Sequence, residues 1–171
     1  AASPFPPYEY EEDDMSTHET FMDRAMALAR EAMNEGNRPA GSVIVRDGKI
    51  VGEGRNLVNT ETDPTAHGEV VAIRRTALNL RSVDLSGCTL YTSLEPCPMC
   101  CWAMIDAKVS RLVLGCRHAQ LGRKDMGTYS VEALVAMTGR PLEIVTGVRA
   151  AECEALRKSW SGWRAFQGGA P

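Results

Sequence analysis

Apolar side chains at Phe21, Met22, Ala25, Met26, Leu28, Ala29, Ala32 and Met33 recur at helical spacing, with polar residues between them. Ser16-Thr17-His18-Glu19, just before this stripe, has the form of a capping box. The pattern therefore predicts an amphipathic helix that stops at Gly36-Asn37-Arg38-Pro39. The next pattern has period two: GSVIVRDGKIVGEG predicts a β-hairpin turning at Asp47-Gly48. Asp63-Pro64-Thr65 then opens a second helix from about Ala66 to Leu78. CTLYTSL is a buried strand, followed by a helix that begins near Pro96 or Cys97 and ends near Lys108. RLVLGC is a further strand, residues 117–129 a polar loop, SVEALVAM a short helix, LEIVTG the last strand and AAECEALRKSW the last helix. Strands alternating with helices predict an α/β domain, a three-layer α-β-α sandwich around a mixed five-stranded sheet.

Composition narrows the class. A chain of 171 residues, 44% hydrophobic and 24% charged, suits one globular domain, read over residues 15–171. No apolar run approaches the roughly 18 residues of a membrane span, and no secretory pattern opens the chain. The expectation is a cytoplasmic protein without a membrane partner. Residues 1–14, AASPFPPYEYEEDD, hold five acidic residues and no basic one, and read as a tag or disordered tail before Met15. Without them, 17 acidic residues face 19 basic ones, so the net charge of −3 becomes a nearly neutral body. Such a body carries no strong electrostatic footprint for nucleic acid.

EPCPMCCWAM, residues 95–104, then raises a chemical question, because Cys97 and Cys100 form a C-x-x-C. By itself that pair suits a redox couple, half of a structural zinc site or part of a catalytic one. His67, also at a predicted helix start, supplies a third ligand. One histidine and two thiolates leave a fourth tetrahedral position for water, which is the composition of a catalytic zinc site with one Zn2+ per chain. The positive end of a helix also favours thiolate over thiol. Glu69, two residues beyond His67, can reach that water without binding the metal.

His67-Gly68-Glu69 and Pro96-Cys97-Pro98-Met99-Cys100 match the H-x-E…P-C-x-x-C signature of zinc deaminases. The chain resembles the cytidine-deaminase-like superfamily, in the branch that holds tRNA adenosine deaminases, bacterial guanine deaminases and fungal-type cytosine deaminase. The likeness runs from about Phe21 to Trp160 through PAGSVIV, GRN, DPTAHGEVVAI, LYTSLEPCPMC and GVRAAECEAL. It implies a zinc-dependent aminohydrolase, with Glu69 carrying a proton from water to a ring nitrogen and then to the departing amine. It also implies a homodimer with its interface near the active site. Gly68, where most members have alanine, resembles the fungal cytosine deaminases and tilts the reading towards a free base.

The remaining site residues are weighed against blander roles. Asn56 ends GRN, where family members bind the polar edge of the ring. Ala40 stands where relatives often carry a larger apolar residue, which makes the pocket roomier. Glu95 reads equally as a helix-start acid or a pocket rim residue. Trp160, Trp163 and Phe166 could form an aromatic flap over the substrate, hinged at Gly162. Cys88, Cys101, Cys116 and Cys153 read as small core residues, His18 and His118 as surface residues, and Arg123-Lys124 as solvated loop. The leading function is hydrolytic deamination of a free nucleobase or related small amino-heterocycle, cytosine-like or guanine-like. A tRNA adenosine deaminase is the alternative, and a non-catalytic zinc-stabilised scaffold the third reading.

Overall fold

A computed structural model describes residues 15–163. The chain runs α1 (Met15–Asn34), β1 (Gly41–Arg46), β2 (Lys49–Arg55), α2 (Gly68–Leu80), β3 (Thr89–Leu94), α3 (Pro98–Asp106), β4 (Arg111–Cys116), α4 (Val131–Thr138), β5 (Glu143–Val145) and α5 (Ala150–Ser159). The sheet order is β2-β1-β3-β4-β5. The β1 strand pairs antiparallel with β2 and β3, whereas β3–β4 and β4–β5 are parallel. This is the expected mixed five-stranded sheet.

Alternation along the strands builds the two outer layers. Val43, Val45, Tyr91 and Val113 pack against α1 and α5, with Met22, Met26, Leu28, Cys153 and Leu156 opposite them. Ile44, Leu90, Leu112 and Leu114 face the other way, onto Ala72, Cys101, Met104, Ile105 and Val131 of α2, α3 and α4. The helices sit close. At Gly54 a Cβ would fall 2.2 Å from the Gly68 carbonyl and 2.4 Å from the Ala72 nitrogen, so α2 presses directly on β2. The β1–β2 turn has φ of 50° at Asp47 and 69° at Gly48, as an Asp-Gly hairpin requires.

The register gathers the functional segments at one edge of the sheet. Gly41 pairs with Arg55, Ser42 with Thr92, and Leu94 with Cys116. The start of β1 and the ends of β2, β3 and β4 therefore meet there, beside the N-termini of α2 and α3. Ligands bind beyond strand ends of this kind in open α/β sheets.

Several local expectations shift. Ser16 lies inside α1, whose described part already begins at Met15, and its carbonyl accepts from Thr20 Oγ1 at 2.9 Å. His18 is 4% exposed, not at the surface, with Nδ1 2.9 Å from the Tyr91 hydroxyl in the core. The second helix starts two residues later than expected because the chain up to His67 is still extended, at φ −70° and ψ 153°. The third begins at Pro98, which sits in the first turn where its missing N–H costs nothing. Residues 1–14, read as a tail, lie outside the described residues.

Candidate active site

His67 and Cys97 are the N-cap residues of α2 and α3. Asp63 sets the approach to the first, accepting from Thr65 N at 2.8 Å and Thr65 Oγ1 at 2.7 Å. Cys97 follows directly on the β3 edge, and Cys100 comes from the first turn of α3. The three ligand atoms close a compact triangle. His67 Nδ1 lies 3.6 Å from Cys97 Sγ and 3.5 Å from Cys100 Sγ, and the two sulfurs are 3.5 Å apart. A tetrahedral zinc with ordinary bond lengths sets edges of about 3.6 Å between N and S and about 3.8 Å between sulfurs. The donor set therefore fits one zinc ion, with a fourth corner on the cleft side.

The same crowding organises the protons of the metal-free triad. A hydrogen bond from Cys100, opposed by burial and helped by His67, holds the Cys97 thiol at about 4. That hydrogen bond to Cys97, together with burial, raises Cys100, and the Cys97 hydrogen bond raises His67. Zinc takes the place of the shared proton when both sulfurs ligate as thiolates.

Glu69, the second residue of α2, is 5% exposed. Burial raises its pKa above the ordinary glutamate value, and the nearby Cys97 charge adds to this. Thr92 Oγ1 stands 3.4 Å from Glu69 Oε1 and accepts from Ser42 Oγ at 3.0 Å. These hydroxyls, which sequence reasoning missed, give the carboxylate a polar neighbour inside the sheet. A buried carboxylate two residues from a metal ligand is suited to carry protons.

The cleft above the triad is lined by Ala40, Asn56, His67, Glu69, Leu94, Glu95, Cys97 and Met126, together with Arg38, His118, Arg123 and Arg157. Asn56 is 3% exposed, its N–H donating to the Ala40 carbonyl at 2.9 Å and its Oδ1 accepting from Val58 N at 3.3 Å. Glu95 reaches the cleft, yet its oxygens are committed. Oε2 accepts from His118 N at 2.9 Å, and Oε1 from Val131 N at 3.2 Å and Arg117 at 3.3 Å. It braces the end of β3 against the 117–131 segment.

Other expected site residues lie elsewhere. A Cβ at Gly68 would meet the Ala40 carbonyl at 3.2 Å and Ser42 Oγ at 3.4 Å, so this position faces β1 and not the cleft. Trp163 is 7% exposed in the core beneath α1 and α5, where an indole gains more from burial than from closing over a ligand. Trp160 caps α5 and stacks on Arg157, with Cζ 5.0 Å from the ring centroid. A Cβ at Gly162 would strike that ring, so this glycine makes room for Trp160. Phe166, the third member of the expected flap, lies outside the described residues. His118 is 5% exposed and lines the cleft, and the Arg123 side chain is 7% exposed. Neither is at the surface, because the loop after β4 folds back over the strand ends. Cys88, Cys101, Cys116 and Cys153 are buried, as expected of small core residues.

The family model for the cytidine and deoxycytidylate deaminase zinc-binding region matches residues 15–116, which include His67, Glu69, Cys97 and Cys100. The chain belongs to this family. It is therefore a zinc-binding deaminase domain, and the triad is a donor set that could hold its zinc ion. The guanine deaminase of Bacillus subtilis strain 168 is 47% identical over 116 residues, covering 66% of this chain and 74% of that protein. The tRNA-specific adenosine deaminase of Haemophilus influenzae is 38% identical over 136 residues, covering 79% and 78%. Among solved structures, the guanine deaminase of Nitrosomonas europaea superposes with a TM-score of 0.74 at 26% identity, over 83% of each chain.

Proposed function

We propose that the protein deaminates a free nucleobase or a related small amino-heterocycle by hydrolysis, releasing ammonia. The observation that carries this reading is the cleft itself. It brings His67, Cys97 and the buried Glu69 together with Ala40 and Asn56 in one concave lining. A flat ring fits there more readily than a nucleic-acid loop. The guanine deaminase relatives support the same class.

His67, Cys97 and Cys100 would hold the zinc, which when bound would lower the pKa of water towards about 7 and so supply hydroxide at neutral pH. Glu69 accepts the proton given up by that water and delivers it to a ring nitrogen, which makes the adjacent amino-bearing carbon more electrophilic. Once the carbon–oxygen bond has formed, Glu69 takes the proton of the new hydroxyl and passes it to the amine; the carbon–nitrogen bond then breaks, ammonia leaves and a carbonyl remains. Asn56 holds the polar edge of the ring. Ala40 leaves room beside it. A non-catalytic scaffold has no use for a buried carboxylate at an open metal corner, which counts against that reading.

The tRNA adenosine deaminase reading keeps one specific support, the three arginines that line the cleft. An ammonia-release screen of cytosine, guanine, isoguanine, nucleosides and a tRNA anticodon stem-loop separates the two. Turnover of a free heterocycle above the stem-loop is expected, and the reverse order would replace the proposal with tRNA editing. The reading includes a homodimer, supported by Met99 and Trp102, 38% and 48% exposed on the helix that bears Cys100. No helix among the described residues is long and apolar enough to cross a membrane. Six free thiols suit a reducing compartment such as the cytoplasm.

A further inference from the structure

Glu95 is 3% exposed, and the hydrogen-bonding groups that meet its two oxygens are donors. Oε2 accepts from the His118 amide at 2.9 Å. Oε1 accepts from the Val131 amide at 3.2 Å and from Arg117 Nη1 at 3.3 Å. A carboxylate is kept out of water only by partners of this kind. These partners come from opposite ends of one segment. Arg117 and His118 open the stretch that leaves β4, and Val131 closes it as the first residue of α4. The Val131 amide belongs to the first turn of that helix, where no carbonyl of the helix can accept from it. Arg117 also grips Glu132, at 2.8 Å and 2.5 Å, which ties the two ends to each other. A second fastening lies one residue further on, where the Tyr129 hydroxyl donates to the Pro96 carbonyl at 2.7 Å.

The segment needs such fastening. Residues 117–130 contain no helix or strand. Its own backbone bonds are local, such as Arg123 N to the His118 carbonyl at 3.2 Å and Tyr129 N to the Met126 carbonyl at 3.1 Å. Bonds of this kind shape a loop without fixing it on the body of the domain. Leu121 packs into the core midway along, beside residues of α1 and α5. Three residues of the cleft lining ride on the segment, His118, Arg123 and Met126. Its two fastening points, Glu95 and Pro96, immediately precede Cys97. The place of that wall relative to the metal ligands is thus carried by one buried carboxylate and one hydroxyl.

We propose that Glu95 is a positioning residue for substrate selection: it clamps both ends of residues 117–131 beside Cys97, and so fixes where His118, Arg123 and Met126 stand relative to His67, Cys97 and Glu69. It acts through the segment and not on the ring, because both its oxygens are taken. This assignment rests on the deaminase reading above and names what sets its substrate fit. Glu95→Gln is the decisive change. Glutamine keeps the size, but its amide turns one acceptor into a donor that must face either the His118 amide or the Val131 and Arg117 donors. The strand itself is spared. Glu95 N still donates to the Cys116 carbonyl at 2.7 Å, and Leu94 still pairs with Cys116, so the approach to Cys97 keeps its course.

In Glu95→Gln, zinc should stay at one per chain by elemental analysis. Amide hydrogen exchange across residues 118–130 should quicken at least about tenfold, while α2 and α3 stay within about threefold of the parent. On whichever of cytosine, guanine and isoguanine the parent deaminates fastest, KM should rise about fivefold or more and kcat should stay within about threefold. The spread of kcat/KM among the three bases should narrow, because a looser wall discriminates less. Arg117→Gln removes one donor and leaves both amides, so it should show the same pattern at smaller size. It carries the decision if Glu95→Gln does not fold.

A raised KM with unchanged exchange would make Glu95 a direct substrate contact and overturn the proposal. Faster exchange with unchanged KM would show that the segment takes no part in selection and overturn it equally. Zinc lost with the substitution, or kcat lowered at constant KM, would assign Glu95 to the metal site or the chemistry instead. No ammonia from any compound with the parent protein would sink the deaminase reading and leave the clamp to binding. By calorimetry uracil or xanthine should then bind about fivefold or more weakly to Glu95→Gln than to the parent. If neither binds the parent, or neither is weakened, the proposal falls as well. A stem-loop preferred over every free base would replace the free-base reading, and the same KM and exchange readings on the stem-loop would decide the role of Glu95.

Discussion

The wall that carries His67, Cys97 and Cys100 and the wall that carries Arg38, Arg123 and Arg157 belong to one cleft, but they are assembled differently. The first comes from two chain segments, each a strand edge or loop turning into a helix, with His67 placed by the start of α2 and both cysteines by the start of α3. The second comes from three segments with no common element, brought together by a helix–strand connection, a folded loop and the last turn of α5. Spacing within a motif sets the zinc geometry, whereas only the finished fold sets the arginine geometry. Chemistry and selectivity are thereby separable: a change on the metal wall should reduce turnover of every substrate, and a change on the arginine wall should reorder substrates without moving zinc.

The largest effect belongs to Cys97→Ala. Two ligands and a methyl group do not hold an open tetrahedral site, so zinc should fall from one per chain to a small fraction by elemental analysis. Ammonia release should drop roughly 10³-fold or more on every substrate. Stability should fall as well, because metal bound only to the folded state adds about 4 kcal/mol when present at a thousandfold over its dissociation constant. A variant that stayed active without metal would remove the distinction between the two walls.

Glu69→Gln should act on turnover alone. Glutamine keeps the volume but cannot carry a proton, and general acid–base catalysis of this kind contributes about 10²–10⁴-fold. Zinc content and substrate KM should stay within about threefold of the parent. If zinc were lost with the carboxylate, Glu69 would be a ligand or a support for one, and the proton route would need another residue.

The same contrast explains which parts of the molecule could be read in advance. Periodicity exposed the five strands and five helices, because each buries one face and alternates at its own period. The metal triad was legible because its ligands sit within short motifs. Arg123 and His118 were misjudged as solvated, since nothing in residues 117–129 announces that Glu95 will draw the His118 amide inward. Trp163 was misassigned because an aromatic at helical spacing reads alike as lid or core until α1 and α5 are packed together. Arg157 sits in the last turn of a helix, where a basic residue is ordinary. Its burial depends on α5 crossing the strand ends, a tertiary fact with no local signal.

The smallest effect, and the sharpest on substrate choice, is that of Gly68→Ala. On sequence resemblance Gly68 marks a free-base enzyme, yet its missing side chain points at β1. A methyl group there would lie 3.2 Å from the Ala40 carbonyl, tight enough to require a shift of a few tenths of an ångström. Against this, alanine at a helical position is favoured over glycine by about 1 kcal/mol, less at a first-turn site. The two terms nearly cancel, so the melting temperature should move by no more than a few degrees. Zinc content should not change. If the cleft surface is set by Asn56 and the arginines, the ranking of substrates should also hold, with each kcat/KM within about threefold. The change could still be felt by two paths: Ala40, which is both the residue in tight contact and part of the cleft lining, and Ser42, whose hydroxyl leads through Thr92 to Glu69. A variant whose ranking of heterocycles inverted would show that the β1 edge takes part in selection, and the separation of chemistry from specificity between the two walls would fail there.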